Sequence, residues 1–246
     1  MGNGVLIFGA TSRIAEFVAR RFAEEGKALT LVARSREKLD VLEGDLTARG
    51  ASAVSTFQVD LGDVSQVEKF LNEQQNFEDD IETVVIAHGF LPDQEAIQNN
   101  WDEVASAYEV NLLTPLLIAT RVATWFEKQG RGTLAVITSV AGDRGRKSNY
   151  VYGAAKGGLS LYLQGIRNRF GKTPIRIIDI RPGFVDTPMT AHLKKGPLFA
   201  SAESVGDGIV RAIHSGKDIV YLPWFWRFIL MIIKLIPEQI FKRLSL

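Results

Sequence analysis

Tyr152 and Lys156 are the residues of this chain best placed by type and spacing to do chemistry. Four positions apart on a helix, they share one face, so an ammonium would lie near a phenol and favour its ionised form. A phenol with an ordinary pKa of about 10 becomes a usable acid or base in that way. Taken alone, a Tyr-x-x-x-Lys pattern is more often a surface helix pair. Here it stands in an ordered set: a turn suited to phosphate upstream, Ser139 at the end of a β-branched run, and Arg181-Pro182-Gly183 downstream.

The upstream turn is Gly9-Ala10-Thr11-Ser12-Arg13-Ile14-Ala15, which follows an apolar run and passes into a helical pattern. Free N–H groups at such a helix start can hold a pyrophosphate. Only Gly9 of the three usual glycines is present; Arg13 and Ala15 stand where close backbone approach would favour glycine. The plain alternative is an ordinary strand-to-helix turn. Arg34 follows the second apolar run, about where an acidic residue would hold the adenosine ribose of NAD. A guanidinium there matches a 2′-phosphate instead, so NADP(H) is the expected cofactor. Arg13 and Arg36 could join that patch or be solvated surface charges. Asp60, with Leu61 beside it, could accept from the adenine amino group, cap the following helix, or both.

Elements able to position these groups can be read from the pattern. Short β-branched runs at Val5 to Phe8, Leu29 to Ala33, Ser55 to Val59, Val84 to Ala87, Leu134 to Thr138 and Ile175 to Ile180 alternate with helical segments. The helical segments are Ile14 to Glu25, Glu37 to Arg49, Val64 to Gln75, Trp101 to Lys128 and Val151 to Phe170. This alternation predicts an α/β fold with a doubly wound parallel sheet of Rossmann type. Ligands then bind beyond the carboxyl ends of the strands, where the residues above fall. No linker, repeat or low-complexity tract interrupts the pattern, so residues 1–246 are expected to form one domain.

With these motifs in order, the chain from Gly9 to about Thr187 resembles the short-chain dehydrogenase/reductase family. The resemblance implies a tyrosine that transfers a proton, Tyr152, and a lysine that binds the nicotinamide ribose and lowers the tyrosine pKa, Lys156. It implies a serine that holds the substrate carbonyl, Ser139, and an asparagine that supports a proton relay, Asn111 in Val110-Asn111-Leu112. Pro182-Gly183-Phe184-Val185-Asp186-Thr187 resembles the family's loop against the nicotinamide amide, through the Val185 backbone and the Thr187 hydroxyl. Met189 to Ala202 would follow as a substrate lid. One departure is Ile86-Ala87-His88-Gly89, where many members carry Asn-Asn-Ala-Gly: the turn glycine is kept and the supporting asparagine is not. Ala87, His88 and Gly89 would line the cofactor pocket, although a lone histidine is more often a packing residue. The implied reaction is carbonyl reduction or its reverse. A retired NADP(H)-binding regulator would not need Ser139, Tyr152, Lys156 and Asn111 together.

The 246 residues include 29 Lys+Arg and 28 Asp+Glu, so no global field points to nucleic acid. Cysteine is absent, which removes disulfides, thiolate metal sites and a thiol nucleophile. No histidine–carboxylate spacing suggests a metal. Met1 to Phe8 lacks the basic leader and apolar core of a secretory signal, and Leu6 breaks the myristoylation pattern that begins at Gly2. A cytoplasmic protein is expected. From Tyr221 to the end the chain is far more apolar than a surface helix requires, with Arg227, Lys234 and Glu238 forming one polar stripe. This segment is too interrupted to span a bilayer. Three roles are open to it: core or oligomer contact, a helix at the membrane surface, or a wall for a lipid-linked substrate. Gly9-Ala10-Thr11-Ser12, Ala87-His88-Gly89 and the aromatic tail with Lys242-Arg243 resemble reductases of keto-sugars carried on polyprenyl phosphate. A soluble reductase of small ketones is the simpler alternative. Family resemblance also implies a homodimer or homotetramer.

Overall fold

A computed structural model describes residues 4–74 and 77–244, without the side chains of residues 78 and 79. Seven strands form one parallel sheet: β1 (Gly4–Phe8), β2 (Ala28–Ala33), β3 (Ala53–Gln58), β4 (Ile81–Ile86), β5 (Gly132–Ile137), β6 (Ile175–Pro182) and β9 (Ile219–Leu222). Their order is β3-β2-β1-β4-β5-β6-β9. Two further strands, β7 (Phe184–Asp186) and β8 (Phe199–Ser201), pair with each other. Helices are α1 (Arg13–Glu24), α2 (Arg36–Ala48), α3 (Val64–Glu73), α4 (Phe77–Asp80), α5 (Gln94–Ile97), α6 (Trp101–Tyr108), α7 (Thr114–Gln129), α8 (Tyr150–Arg169), α9 (Ala202–Ser215), α10 (Trp226–Leu235) and α11 (Glu238–Phe241).

Alternation along a strand fills two layers. In β1, Val5 and Ile7 pack into the layer of α1, α2 and α9, whereas Leu6 and Phe8 pack into the layer of α3, α7 and α8. The whole strand is therefore buried, as expected of a central parallel strand. The chain reverses its winding direction between β1 and β4, so the crevice beyond their carboxyl ends is the natural ligand site.

The doubly wound parallel sheet is as expected from the sequence, and the differences are local. Expected helix Val64 to Gln75 ends at Glu73, and Gln75 lies outside the described residues. The segment Trp101 to Lys128 is not one regular helix: α6 and α7 are joined by a π-helical turn, Glu109–Leu113. Strand β9 is not expected from the sequence, where its second half, Tyr221 and Leu222, opens the apolar tail, because four residues before a proline give too short a period. Helix α9 was not foreseen, and the expected lid ends in β8. The tail itself is α10 and α11, with residues 245–246 outside the described set. One face of α10 joins the core, where Trp226 and Leu230 pack with Val140. Among the described residues, no helix is long and apolar enough to cross a membrane.

Candidate active site

Beyond β1 and β4 lies a cleft with two lobes. Gly9 starts the first turn at φ +76°, and a β-carbon there would sit 2.6 Å from the backbone nitrogen of His88. Only glycine permits this approach between the two junctions. Ser12 caps α1 by accepting from the Ala15 N–H at 3.3 Å. Ala15 is fully buried, so it meets the packing demand that a glycine would otherwise meet.

The first lobe, about 610 Å3, is lined by Gly9, Thr11, Ser12, Arg34, Asp60 and Leu61, with His88 and Gly89 at its inner end. Arg34 is exposed, and its side chain has no hydrogen bond or ion pair among the described residues. The neighbouring arginines are engaged. Arg13 pairs with Glu16 at 2.7 Å and covers the Phe17 ring, while Arg36 donates to Thr56 at 2.9 Å. Asp60 accepts from the Gly62 N–H at 2.9 Å, while the cap of α3 is Asp63, so the capping alternative for Asp60 is replaced by its neighbour.

The second lobe, about 330 Å3, shares Thr11, Ser12, His88 and Gly89 with the first, and Arg13, Ile14 and Ala87 line it as well. Ser139, Tyr152 and Lys156 reach it from β5 and α8, and Pro182, Gly183, Val185 and Thr187 from the β6–β7 turn. The Ser139 side chain also accepts from the Ala141 N–H at 3.1 Å, which anchors the 3-10 turn Val140–Asp143. Tyr152 is half-buried, and burial pushes its hydroxyl up to about 12, against a hydrogen bond with Ser139 that lowers it. Lys156 is buried beside it, with Nζ 5.9 Å from the Tyr152 ring centroid and donating to the Ile137 carbonyl at 3.2 Å. Burial moves this lysine down to about 8, against the charge of Asp179. Burial of the phenol is thus the larger influence on Tyr152, and the influence opposing it is the Ser139 hydrogen bond rather than the ammonium.

Asn111 does not line the cavity; it stands behind it, fully buried in the π-helical turn. Its Nδ2 donates to the carbonyls of Phe90 at 2.9 Å and Ala107 at 3.0 Å, and its Oδ1 accepts from the Phe90 N–H at 3.1 Å. A β-carbon at Gly89 would meet Asn111 Oδ1 at 2.8 Å and Lys156 Nζ at 3.2 Å, so Gly89 is the gap through which the two side chains approach. The extra residue of a π turn re-aims a helix face, a common device at functional sites. A 3.6-residue pattern does not announce it.

His88 places Nε2 3.1 Å from Thr114 Oγ1, which in turn donates to the Leu61 carbonyl at 2.7 Å. The hydroxyl proton being committed to Leu61, Nε2 carries the imidazole proton and Nδ1 is an acceptor. Nδ1 is buried without a protein partner. Burial, helped by the nearby Lys156 charge, lowers His88 to about 3 and keeps the ring neutral. In the β6–β7 turn, the Val185 carbonyl accepts from Thr190 Oγ1 at 2.5 Å. Three groups went unread in the sequence: Lys38, Arg146 and Asn149, all of which line the second lobe. None lies in a motif; Arg146 and Asn149 are near Tyr152 in sequence, and only folding brings Lys38 to the same lobe.

Under the second lobe, Asp179 is fully buried and accepts from Thr138 at 2.5 Å and from Arg181 at 2.6 and 2.8 Å. Arg181 also donates to Asp143 at 2.8 Å, and Asp143 accepts from Tyr221 at 2.7 Å and from Lys234 of α10 at 3.0 Å. The Ser139 segment, β6, β9 and the tail are thereby joined in one charged network.

A dinucleotide suits this cleft on three counts. The lobes meet over the start of α1, the Gly9 cradle would be filled by a β-carbon, and His88 keeps a buried acceptor unsatisfied. Comparison with known proteins places the chain in a family: the short chain dehydrogenase model matches residues 3–197, and the chain belongs to that family of oxidoreductases. An uncharacterised oxidoreductase of Mycobacterium tuberculosis is 33% identical over 240 residues, covering 98% of this chain and 96% of the relative. Among solved structures, a short-chain dehydrogenase from Sphingobium yanoikuyae in complex with NADPH superposes with a TM-score of 0.82 at 22% identity, covering 96% of each chain. A 7beta-hydroxysteroid dehydrogenase gives a TM-score of 0.85 at 20% identity, covering 99% of this chain and 96% of that one. At these identities the superpositions speak to the fold.

Proposed function

We propose that this oxidoreductase is an NADP(H)-dependent carbonyl reductase whose proton donor is Tyr152. The observation that carries the reading is the convergence of Ser139, Tyr152 and Lys156 on one lobe of a cleft whose other lobe presents the unpaired Arg34. Arg34 would take the 2′-phosphate through charge-assisted hydrogen bonds, Asp60 and Leu61 would flank the adenine, and the Ser12 end of α1 would hold the pyrophosphate. His88 Nδ1 offers one further acceptor. The nicotinamide, when bound, supplies the hydride. Ser139 donates to the carbonyl oxygen and fixes its direction. Tyr152, neutral throughout the physiological range, gives that oxygen its proton. Lys156 stabilises the phenolate left behind, and Asn111 holds the Gly89–Phe90 turn against which Lys156 sits. The NADPH bound by the Sphingobium relative is consistent with this cofactor choice.

Titration of the protein with NADPH and with NADH, followed by nicotinamide fluorescence, tests the reading. NADPH should bind more tightly, and Arg34→Ala should weaken it by roughly tenfold or more, the loss expected of hydrogen bonds to a charged group. Equal affinity for the two nucleotides, or an Arg34→Ala variant that binds NADPH like the parent, would refute the assignment.

The substrate we infer has an apolar part and is presented at a lipid surface. Phe228, Met231, Ile232 and Leu235 of α10 recur at helical spacing and are all exposed, opposite the buried Trp226 and Leu230. Trp224 and Ile240 extend this apolar face. The exposed cations Arg227, Lys242 and Arg243 border it, whereas Glu238 is paired with Arg144. Such a face complements an anionic bilayer surface. Phe184 joins it to the cavity, lining the second lobe and packing on Trp226 at 5.4 Å. The likeness of the phosphate turn, the Ala87-His88-Gly89 junction and the tail to decaprenylphosphoryl-2-keto-ribose reductase supports a lipid-linked keto-sugar as the first substrate to try. Flotation with phosphatidylglycerol-containing vesicles should carry the protein upward, and Leu235→Asp should abolish this. A protein that stays at the bottom of the gradient, or whose Leu235→Asp form merely loses dimerisation, would show that α10 faces another subunit or solvent.

A further inference from the structure

The substrate lobe contains a charged group that the reaction above does not use. Arg146 lies on the loop between Ser139 and Tyr152 and lines the cavity with both. Its Nε and Nη2, the side-on fork of the guanidinium, are buried and have no hydrogen-bond partner. Asp143 is the acid near enough to act on it electrostatically, but its two oxygens already accept from Arg181, Tyr221 and Lys234.

Asn149 repeats the anomaly. It holds the N-cap position of α8, where an asparagine ordinarily accepts from the first turn, yet its side chain makes no such bond. Instead Oδ1 is buried without a partner, in a residue that lines the same cavity. The two residues are tied by the Asn149 N–H donating to the Arg146 carbonyl at 3.2 Å. Buried polar groups are normally satisfied, and buried donors or acceptors without a partner are costly. Two such breaches side by side, in the cavity that holds Tyr152, mark groups kept for a ligand.

We propose that Arg146 and Asn149 form an oxoanion subsite: the carbonyl substrate carries a phosphate ester or a carboxylate that docks bidentately on Nε and Nη2 of Arg146, with a neighbouring hydroxyl of the substrate donating to Asn149 Oδ1. The guanidinium fork matches two oxygens of either group, and this contact decides between anionic and neutral substrates. It rests on the reductase reading for the identity of the cavity, and it adds the charge of the substrate.

Thermal unfolding in inorganic phosphate and, separately, in acetate tests it with each probe standing for one source of the oxoanion. The wild-type Tm should rise by roughly 2–4 °C with at least one of them. The rise should persist in Arg34→Ala, which removes the adenosine-side cation, and disappear in Arg146→Met. In buffer without either anion, Arg146→Met should itself melt roughly 2–4 °C above the wild type, because it removes two buried N–H donors that have no partner. A residue that merely held the loop together would give the opposite sign. Should Arg146→Met fail to fold, Arg146→Lys keeps the charge without the fork and should lose the anion response while folding. Absence of any response in the wild type, an unchanged response in the Arg146 variants, or a lower Tm for Arg146→Met in anion-free buffer would overturn the subsite. The NADPH titration of the wild type reports on the reductase reading separately, since it involves neither probe nor Arg146 variant.

Discussion

Lys156 offers a test of the site that does not depend on finding a substrate. Its ammonium is buried and shifted from 10.5 to about 8, with burial the larger cause and Asp179 opposing it. The unfolded chain takes up the proton as pH falls through 10.5, while the folded chain takes it up only near 8. Between these values the unfolded state binds more protons, so stability rises with pH across that window. Below pH 8 the penalty is complete, at about 3 kcal/mol; above 10.5 it has gone. Going from pH 7 to pH 9.5 should restore about 2 kcal/mol of it. Tyr152 does not blur the comparison, because its shift from 10 to about 12 acts only above pH 10, where it makes stability fall. The experiment is urea unfolding of the nucleotide-free protein and of Lys156→Met at both pH values. The wild type should gain about 2 kcal/mol more than the variant across the interval. Parallel behaviour of the two proteins would mean that Lys156 keeps an ordinary pKa, and the account of how burial sets the charges of the Tyr152–Lys156 pair would fail.

Two other substitutions test the scaffold. Gly9→Ala combines a positive φ with a β-carbon pressed against the His88 backbone, and should cost about 2–4 kcal/mol in urea unfolding while abolishing NADPH binding. A variant of wild-type stability would show that the turn can relax. Asn111→Ala leaves the part-buried N–H and carbonyl of Phe90 without their partner and should cost about 1–3 kcal/mol, with faster amide exchange at Phe90; slow exchange there would separate Asn111 from the support of Gly89.

The sequence made the fold legible where period and length agree. The run Val5 to Phe8 is apolar at every position and short, which only a strand buried on both faces explains, and β1 is that strand. The turn after it was only half legible, since one glycine of the usual three left an ordinary strand-to-helix turn open, and the approach of the His88 backbone shows why Gly9 is the one needed. Tyr152 and Lys156 were legible for the same kind of reason as β1: a spacing of four on a helix is a statement about a shared face. What escaped was whatever depends on contacts across the chain. The π turn at Asn111 adds a residue without changing composition, β9 is too short to have a period, and the depressed lysine follows from burial that only the folded chain supplies, against the charge of Asp179 in β6.

Arg146 shows most clearly why the unread part is the informative part about substrate. In sequence it is one exposed-looking arginine in Asp143-Arg144-Gly145-Arg146-Lys147, next to an Arg144 whose guanidinium donates to the Ile236 carbonyl at 2.7 Å and sits over the Phe241 ring. Composition gives no reason to treat the two differently. The fold does: one arginine is fully employed in fastening the tail, while the other has the two nitrogens of its fork buried and unmatched in the cavity of the proton donor. Arg144, which serves the scaffold, finds its partners within the chain. A polar group that stays unpaired in a cavity, at a cost to stability, has its partner outside the chain, and the chemistry of the unmatched atoms describes that partner.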